Sequence, residues 1–162
     1  MMPGRVYTAW LDAEAVTTEL DFFELLADTT EVVEVLEIDI GQETEEGDTQ
    51  AEQLSYKLVI GKGAVTSGSG GSTVTPEPHQ TGFGAADTTV ETINDTKMLA
   101  GSGTLHIVHA SAFHVAVGLR WLPTPDCRFV LSPGERGTVE LAEAPIDSIT
   151  FSGVIKFKEI GG

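Results

Sequence analysis

Three of the four histidines in this chain stand close together, at His106, His109 and His114, and they are the residues best suited to holding a metal ion. A site on one strand face needs the spacing H-x-H followed by a glutamate, because an extended chain turns every second side chain to the same side. The spacing here is H-x-x-H, which puts His106 and His109 on opposite faces of a regular strand. His106 and His114 share a face but lie about 26 Å apart along a straight strand. One ion needs ligands at about 2.1 Å, so the chain would have to turn back between them. The expectation is surface or interface histidines and no metal, with an ion shared between subunits as the alternative.

Other chemistry is poorly supported. Glu43, Glu45, Glu46, Asp48 and Glu52 crowd one segment, but E-T-E-E-G-D lacks the D-x-D-x-D-G pattern of a calcium loop and reads as a solvated turn. A phosphate loop fails because Tyr56 stands where Gly61-Lys62 needs a glycine, and Gly63 follows the lysine. Gly68-Ser69-Gly70 runs on to Thr73 with no helix after it, which removes a dinucleotide fingerprint. The G-x-S-x-G elbow is absent, and Ser67, Ser69 and Ser72 have no base signalled nearby. Cys127 is the lone cysteine, which excludes an intrachain disulfide and a cysteine-based zinc finger; a small packing role is expected. No catalytic residue, cofactor or metal is expected.

Two places have the composition of contact surfaces. Trp121-Leu122-Pro123-Thr124-Pro125 offers an aromatic anchor, Trp121, beside Pro123 and Pro125, whose missing N–H donors end a strand without leaving a sticky edge. The alternative is that Trp121 continues a buried face. Near the start, Arg5, Tyr7 and Trp10 are of types that anchor interfaces. Residues 1–10 are therefore either an N-terminal arm that clamps a partner or an edge strand of the domain.

The elements that hold these residues are read from period-two alternation. Leu54, Tyr56, Leu58 and Ile60 form one face, as do Leu36, Ile38 and Ile40. Odd positions from Leu105 to Trp121 are mostly apolar, enough for two strands or one bent strand. Ile149, Phe151, Ile155 and Phe157 form another face, with Gly153 marking a bulge or a close backbone approach. Short strands are expected at Val6–Trp10 and at Val139–Leu141. Thr18–Ala27 fits either period and is read as a strand, with Glu24 interrupting its apolar face. The segment 61–92, with T-S-G-S-G-G-S at Thr66–Ser72 and T-P-E-P at Thr75–Pro78, is read as a surface loop crossing between sheets, not as a linker.

The 162 residues form a single domain, 1–162, with a real core, and the 18 glycines and seven prolines imply many turns. The expected fold is all-β: an antiparallel two-sheet sandwich, a jelly roll of roughly eight to ten strands. Nine Lys and Arg against 25 Asp and Glu leave a formal charge of −16, which repels nucleic acid and anionic membranes. M-M-P-G-R-V-Y lacks a signal-peptide pattern, and no stretch has the roughly 18 apolar residues of a membrane helix, so cytoplasmic synthesis is expected.

The order of several short motifs resembles a family of tailed-phage head decoration, or cement, proteins with a jelly roll of the tumour-necrosis-factor type. These are V-T-T-E-L-D-F-F-E-L at Val16–Leu25, G-Q-E-T-E-E-G-D-T-Q-A-E-Q-L at Gly41–Leu54 and the two loop motifs just named. W-L-P-T-P-D at Trp121–Asp126, A-P-I-D-S-I-T-F-S-G at Ala144–Gly153 and a closing K-E-I-G complete the set. The resemblance implies a homotrimer on the outer surface of a virion capsid, partnered with the major capsid protein, and no catalytic residues. Apolar residues on both faces around Val108, Ala110, Ala112 and Ala116 agree with a packed subunit contact. Another virion part (head fibre, neck or tail tip) and a carbohydrate- or ligand-binding jelly-roll module are the competing readings.

Overall fold

Buried β-branched and aromatic residues recur along the chain between Gly, Pro and Asp turns, and each run becomes a strand. The computed structural model describes residues 4–44 and 52–161. Among them are β1 (Arg5–Val16), β2 (Leu20–Leu26), β3 (Glu31–Gln42), β4 (Gln53–Lys62), β5 (Ser72–Val74) and β6 (Glu77–Pro78). The second half holds β7 (Thr89–Asn94), β8 (Thr104–His114), β9 (Leu119–Trp121), β10 (Phe129–Leu131), β11 (Arg136–Leu141) and β12 (Ile149–Gly161). Pairing is antiparallel throughout, in two sheets. Sheet A runs β10-β3-β12-β1-β6, with β9 also on β3; sheet B runs β5-β7-β2-β11-β4-β8.

The winding is nested. β1 pairs with β12 in sheet A, β2 with β11 in sheet B, β3 with β9 and β10 in A, and β4 with β8 in B. One long hairpin wrapped alternately through two sheets is a jelly roll. Side chains fill the space between the sheets: Phe22 of sheet B meets Phe151 of sheet A edge-on at 5.2 Å between ring centres, and within sheet A Tyr7 stacks on its cross-strand neighbour Phe157 at 5.8 Å. The strand expectations at 54–60, 139–141, 149–157 and 20–26 hold. Gly153 is a close approach: a Cβ there would stand 2.6 Å from the Asp39 carbonyl oxygen across the β12–β3 pair.

Three bulges shift the faces expected from strict alternation. In β2, Val139 and Glu140 of β11 lie opposite Phe23 and Asp21, so Phe22 is the extra residue. Leu20, Phe22, Phe23 and Leu25 all join the core, while Asp21 and Glu24 are also buried but stand outside that apolar cluster. In β3 the slip falls at Leu36, which is half-buried; the core face is Val33, Val35, Ile38 and Ile40. In β8 the extra residue is Val108.

The segment between β4 and β8 does cross between the sheets. It gives β6 to the edge of sheet A beside β1, then β5 and β7 to the edge of sheet B beside β2. Strand β7 was not expected, because its buried face is Val90, Thr92 and Asn94, two of them polar.

The clamp reading of residues 1–10 is corrected for Arg5–Trp10, which is the first half of β1, between β12 and β6; Met1–Pro3 lie outside the described residues. Tyr7 is fully buried, and burial raises its phenol pKa; its hydroxyl donates to the Gly84 carbonyl at 3.1 Å. Arg5 is held by Asp87 at 2.6 Å, Glu159 at 3.0 Å and Glu31 at 3.3 Å, and the Asp87 hydrogen bond holds its pKa above the ordinary value. Neither is free to anchor a partner. In the acidic loop, Glu45, Glu46 and Asp48 lie outside the described residues.

Candidate functional site

The crossover segment makes the two sides of the sandwich unequal. On the β1/β2 side it caps both sheet edges. On the other side β8, eleven residues long, is the edge of sheet B: it pairs with β4 on one flank, and nothing among the described residues pairs with the other. From Thr96 to Pro125 the chain contains no Asp or Glu, in a protein with 25 of them. Edge strands are ordinarily protected by charges, prolines or short length, and β8 has no Lys, Arg, Asp, Glu or Pro.

Large apolar side chains gather on this open side. Ile107, Val108, Val117, Leu122 and Val130 are exposed, Val117 by 86% at the tip of the β8–β9 turn. Ala110, Ala112 and Ala116 are exposed too, as expected of a contact strip. Between β8 and the stretch Trp121–Val130 lies a cleft of about 680 Å³, with Ile60, His109, Trp121 and Phe129 on its walls and Cys127 and Arg128 beside them. A second hollow of about 370 Å³ continues along β8 between Tyr56, Phe113 and Leu119.

The histidines are placed differently from the expectation. The Val108 bulge brings His106 opposite Ile60 and His109 opposite Leu58, so both lie on the same face of sheet B. His109 Nε2 sits 3.1 Å from the Tyr56 hydroxyl, and His114 Nδ1 accepts the Ala116 N–H at 3.2 Å, tightening the turn. β8 does not fold back between His106 and His114. Among the described residues no three His, Cys, Asp or Glu converge to hold a metal. We therefore expect a chelator to leave the melting temperature unchanged within about 1 °C; a drop of many degrees would reveal a metal coupled to folding.

The remaining candidates separate. Trp121 is buried opposite Ile38 and walls the cleft, so its role is packing. β9 ends there, ahead of Pro123, which is half-buried at the rim; Pro125 is exposed and opens a single 3-10 turn, Pro125–Cys127. Cys127 is exposed, which corrects the expected packing role: it closes a proline-started turn none of whose residues is buried. Trp10 is 45% exposed, opposite Val154 on the outer face of sheet A.

That outer face carries an ion-pair ladder that the sequence pattern did not signal, because its members come from three strands and a loop. Glu34 lies between Arg128 (3.1 Å) and Lys158 (3.7 Å), and Glu37 between Lys156 (2.7 Å) and Arg120 (3.6 Å). Four of the nine basic residues sit here. The strip Thr96–Pro125 thus has no carboxylate, and on this face two glutamates are matched by four cations, so both repel an acidic molecule less than the chain's net charge implies.

Comparison of the chain with protein-family models, with curated proteins and with solved structures gives no match.

Proposed function

We propose that this protein is a structural subunit of a tailed-phage head: a decoration protein, trimeric, that binds the major capsid protein from outside and stabilises the shell. The observation that carries the reading is the open side of the jelly roll. A long, charge-free, apolar edge in a chain of charge −16 is what an obligate protein contact requires. The nested winding agrees with the motif resemblance at Val16–Leu25 and Ala144–Gly153. A contact between the strip and another patch of the same chain is heterologous, and three copies form where its rotation closes into a ring.

The cleft beside Trp121 and His109 favours a second reading, a small-ligand module. The two readings part on one measurement. Light scattering in physiological salt should give three times the 17.2 kDa chain mass. Ile107→Glu and Ala112→Glu place carboxylates on β8, where a like-charge contact costs several kcal/mol, and should yield a folded monomer. A wild-type monomer that also fails to co-sediment with undecorated shells would overturn the proposal and leave the ligand reading.

A further inference from the structure

The crossover segment between β4 and β8 is seated by buried carboxylates that accept its backbone N–H groups. Glu24 on β2 takes Gly68 N–H at 2.8 Å, together with the Ser67 hydroxyl at 2.8 Å, Asn94 Nδ2 at 3.0 Å and Arg136 at 2.8 Å. Glu159 on β12 takes the N–H groups of Asp87 and Thr88 at 2.9 and 2.7 Å. Asp21 on β2 takes Met98 N–H at 2.8 Å through Oδ2. Glu24 and Glu159 each also have a guanidinium, Arg136 and Arg5. Asp21 has none, and its Oδ1 has no hydrogen-bond partner although the residue is 1% exposed.

The charges around Asp21 do not compensate for that burial. On its own strand stands Glu24; opposite it on β11 is Glu140, and opposite on β7 is Asn94, whose amide is already given to Glu24 and Glu91. Lys97, on the segment itself, is divided between Glu19 (2.8 Å) and Glu140 (3.1 Å), and Lys57 on β4 reaches Glu140 at 3.8 Å. The Met98 side chain packs on Gly61, where a Cβ would stand 2.7 Å from its sulfur, so it covers apolar surface on sheet B.

We infer that the stretch Lys97–Leu99 is a pH-sensitive latch: it is seated while Asp21 is protonated, and it loosens from sheet B when Asp21 becomes an unpaired buried carboxylate. Burial, first, and then Glu24 and Glu140 push the Asp21 carboxyl up to about 7, against the Met98 N–H and Lys97, which lower it. The carboxylate regains its hydration by opening, so the latch loosens as pH rises from mild acid to neutrality and closes again in acid. The isolated bridge between Thr66 and Leu99 is the backbone pair that opening breaks.

Amide hydrogen exchange between pH 5 and 9 tests this on the intact protein, after correction for the intrinsic rate. The opening constant of Met98 should rise up to about tenfold per pH unit below pH 7 and level off above it. Met98 should also exchange faster throughout than Ile155 in the middle of β12. Asp21→Asn should flatten the Met98 profile, and Lys97→Met should move the levelling point upward. In case a variant fails to fold, carbon-13 titration of Asp21 in the wild-type protein decides: its midpoint should coincide with the Met98 break. A carboxyl midpoint near 4, a flat wild-type profile, an unchanged slope in Asp21→Asn, or equal protection at Met98 and Ile155 would each overturn the latch.

Discussion

Glu24→Ala should lower the unfolding free energy by about 3–5 kcal/mol, the cost of leaving three further donors and the half-buried Arg136 without their shared acceptor. Four donors converge on that carboxylate from three directions: the crossover segment (Ser67, Gly68), β7 (Asn94) and β11 (Arg136). The side chain is 1% exposed, and a Cβ on residue 68 would touch its Oε2 at 2.7 Å, so water has no ready path to replace it. Glu24→Gln keeps one acceptor oxygen and should cost about half as much. Urea unfolding at pH 7 measures both. A loss below about 1 kcal/mol for the alanine variant would show that the network is dispensable.

Asp21→Asn has the opposite expectation and depends on pH. The folded-state pKa, about 7, lies above the unfolded value of 3.8. The folded chain therefore holds the Asp21 proton over a window in which the unfolded chain has lost it. That contribution is complete below about pH 4, shrinks as pH rises, and is gone once pH passes the folded value. At about 1.4 kcal/mol per pH unit, the loss across the window is about 4 kcal/mol. Asparagine stays neutral, so the variant should match the wild type near pH 4 and exceed it by about 1–2 kcal/mol at pH 5 and by about 4 kcal/mol at pH 8. Identical stability curves for the two proteins between pH 5 and 8 would contradict the burial argument.

The parts of the fold legible from the chain are those where period two runs unbroken. Leu54 to Ile60 and Ile149 to Phe157 face the core as alternation requires, and the Gly/Ser and T-P-E-P motifs mark the crossover between sheets. Bulges are not visible in a hydropathy pattern, because one extra residue flips every side chain beyond it. That is why Leu36 stood in the expected core, and why His106 and His109 were expected on opposite faces. Glu24 looked like an interruption; it is the fastening point of a segment 44 residues further along the chain. The apolar, acid-free run up to Trp121 was visible, but which part of it is buried depends on β8 being an edge, a property of sheet order. Arg5 and Tyr7 have interface composition, but Tyr7 stands on the core face of β1 opposite Phe157, and Arg5 is taken up by Glu31, Asp87 and Glu159, none of them near it in the sequence.

The central claim is that the open β8 side builds an assembly that holds a capsid shut. Thermal release of packaged nucleic acid tests it most directly, comparing phage particles that lack this protein, particles saturated with the wild type, and particles offered the Ile107→Glu, Ala112→Glu variant. Release should come several degrees higher with the wild type, since contacts that bind only the closed shell stabilise it by mass action, and the variant should give no gain. Equal release temperatures with and without wild-type protein at full occupancy would contradict it.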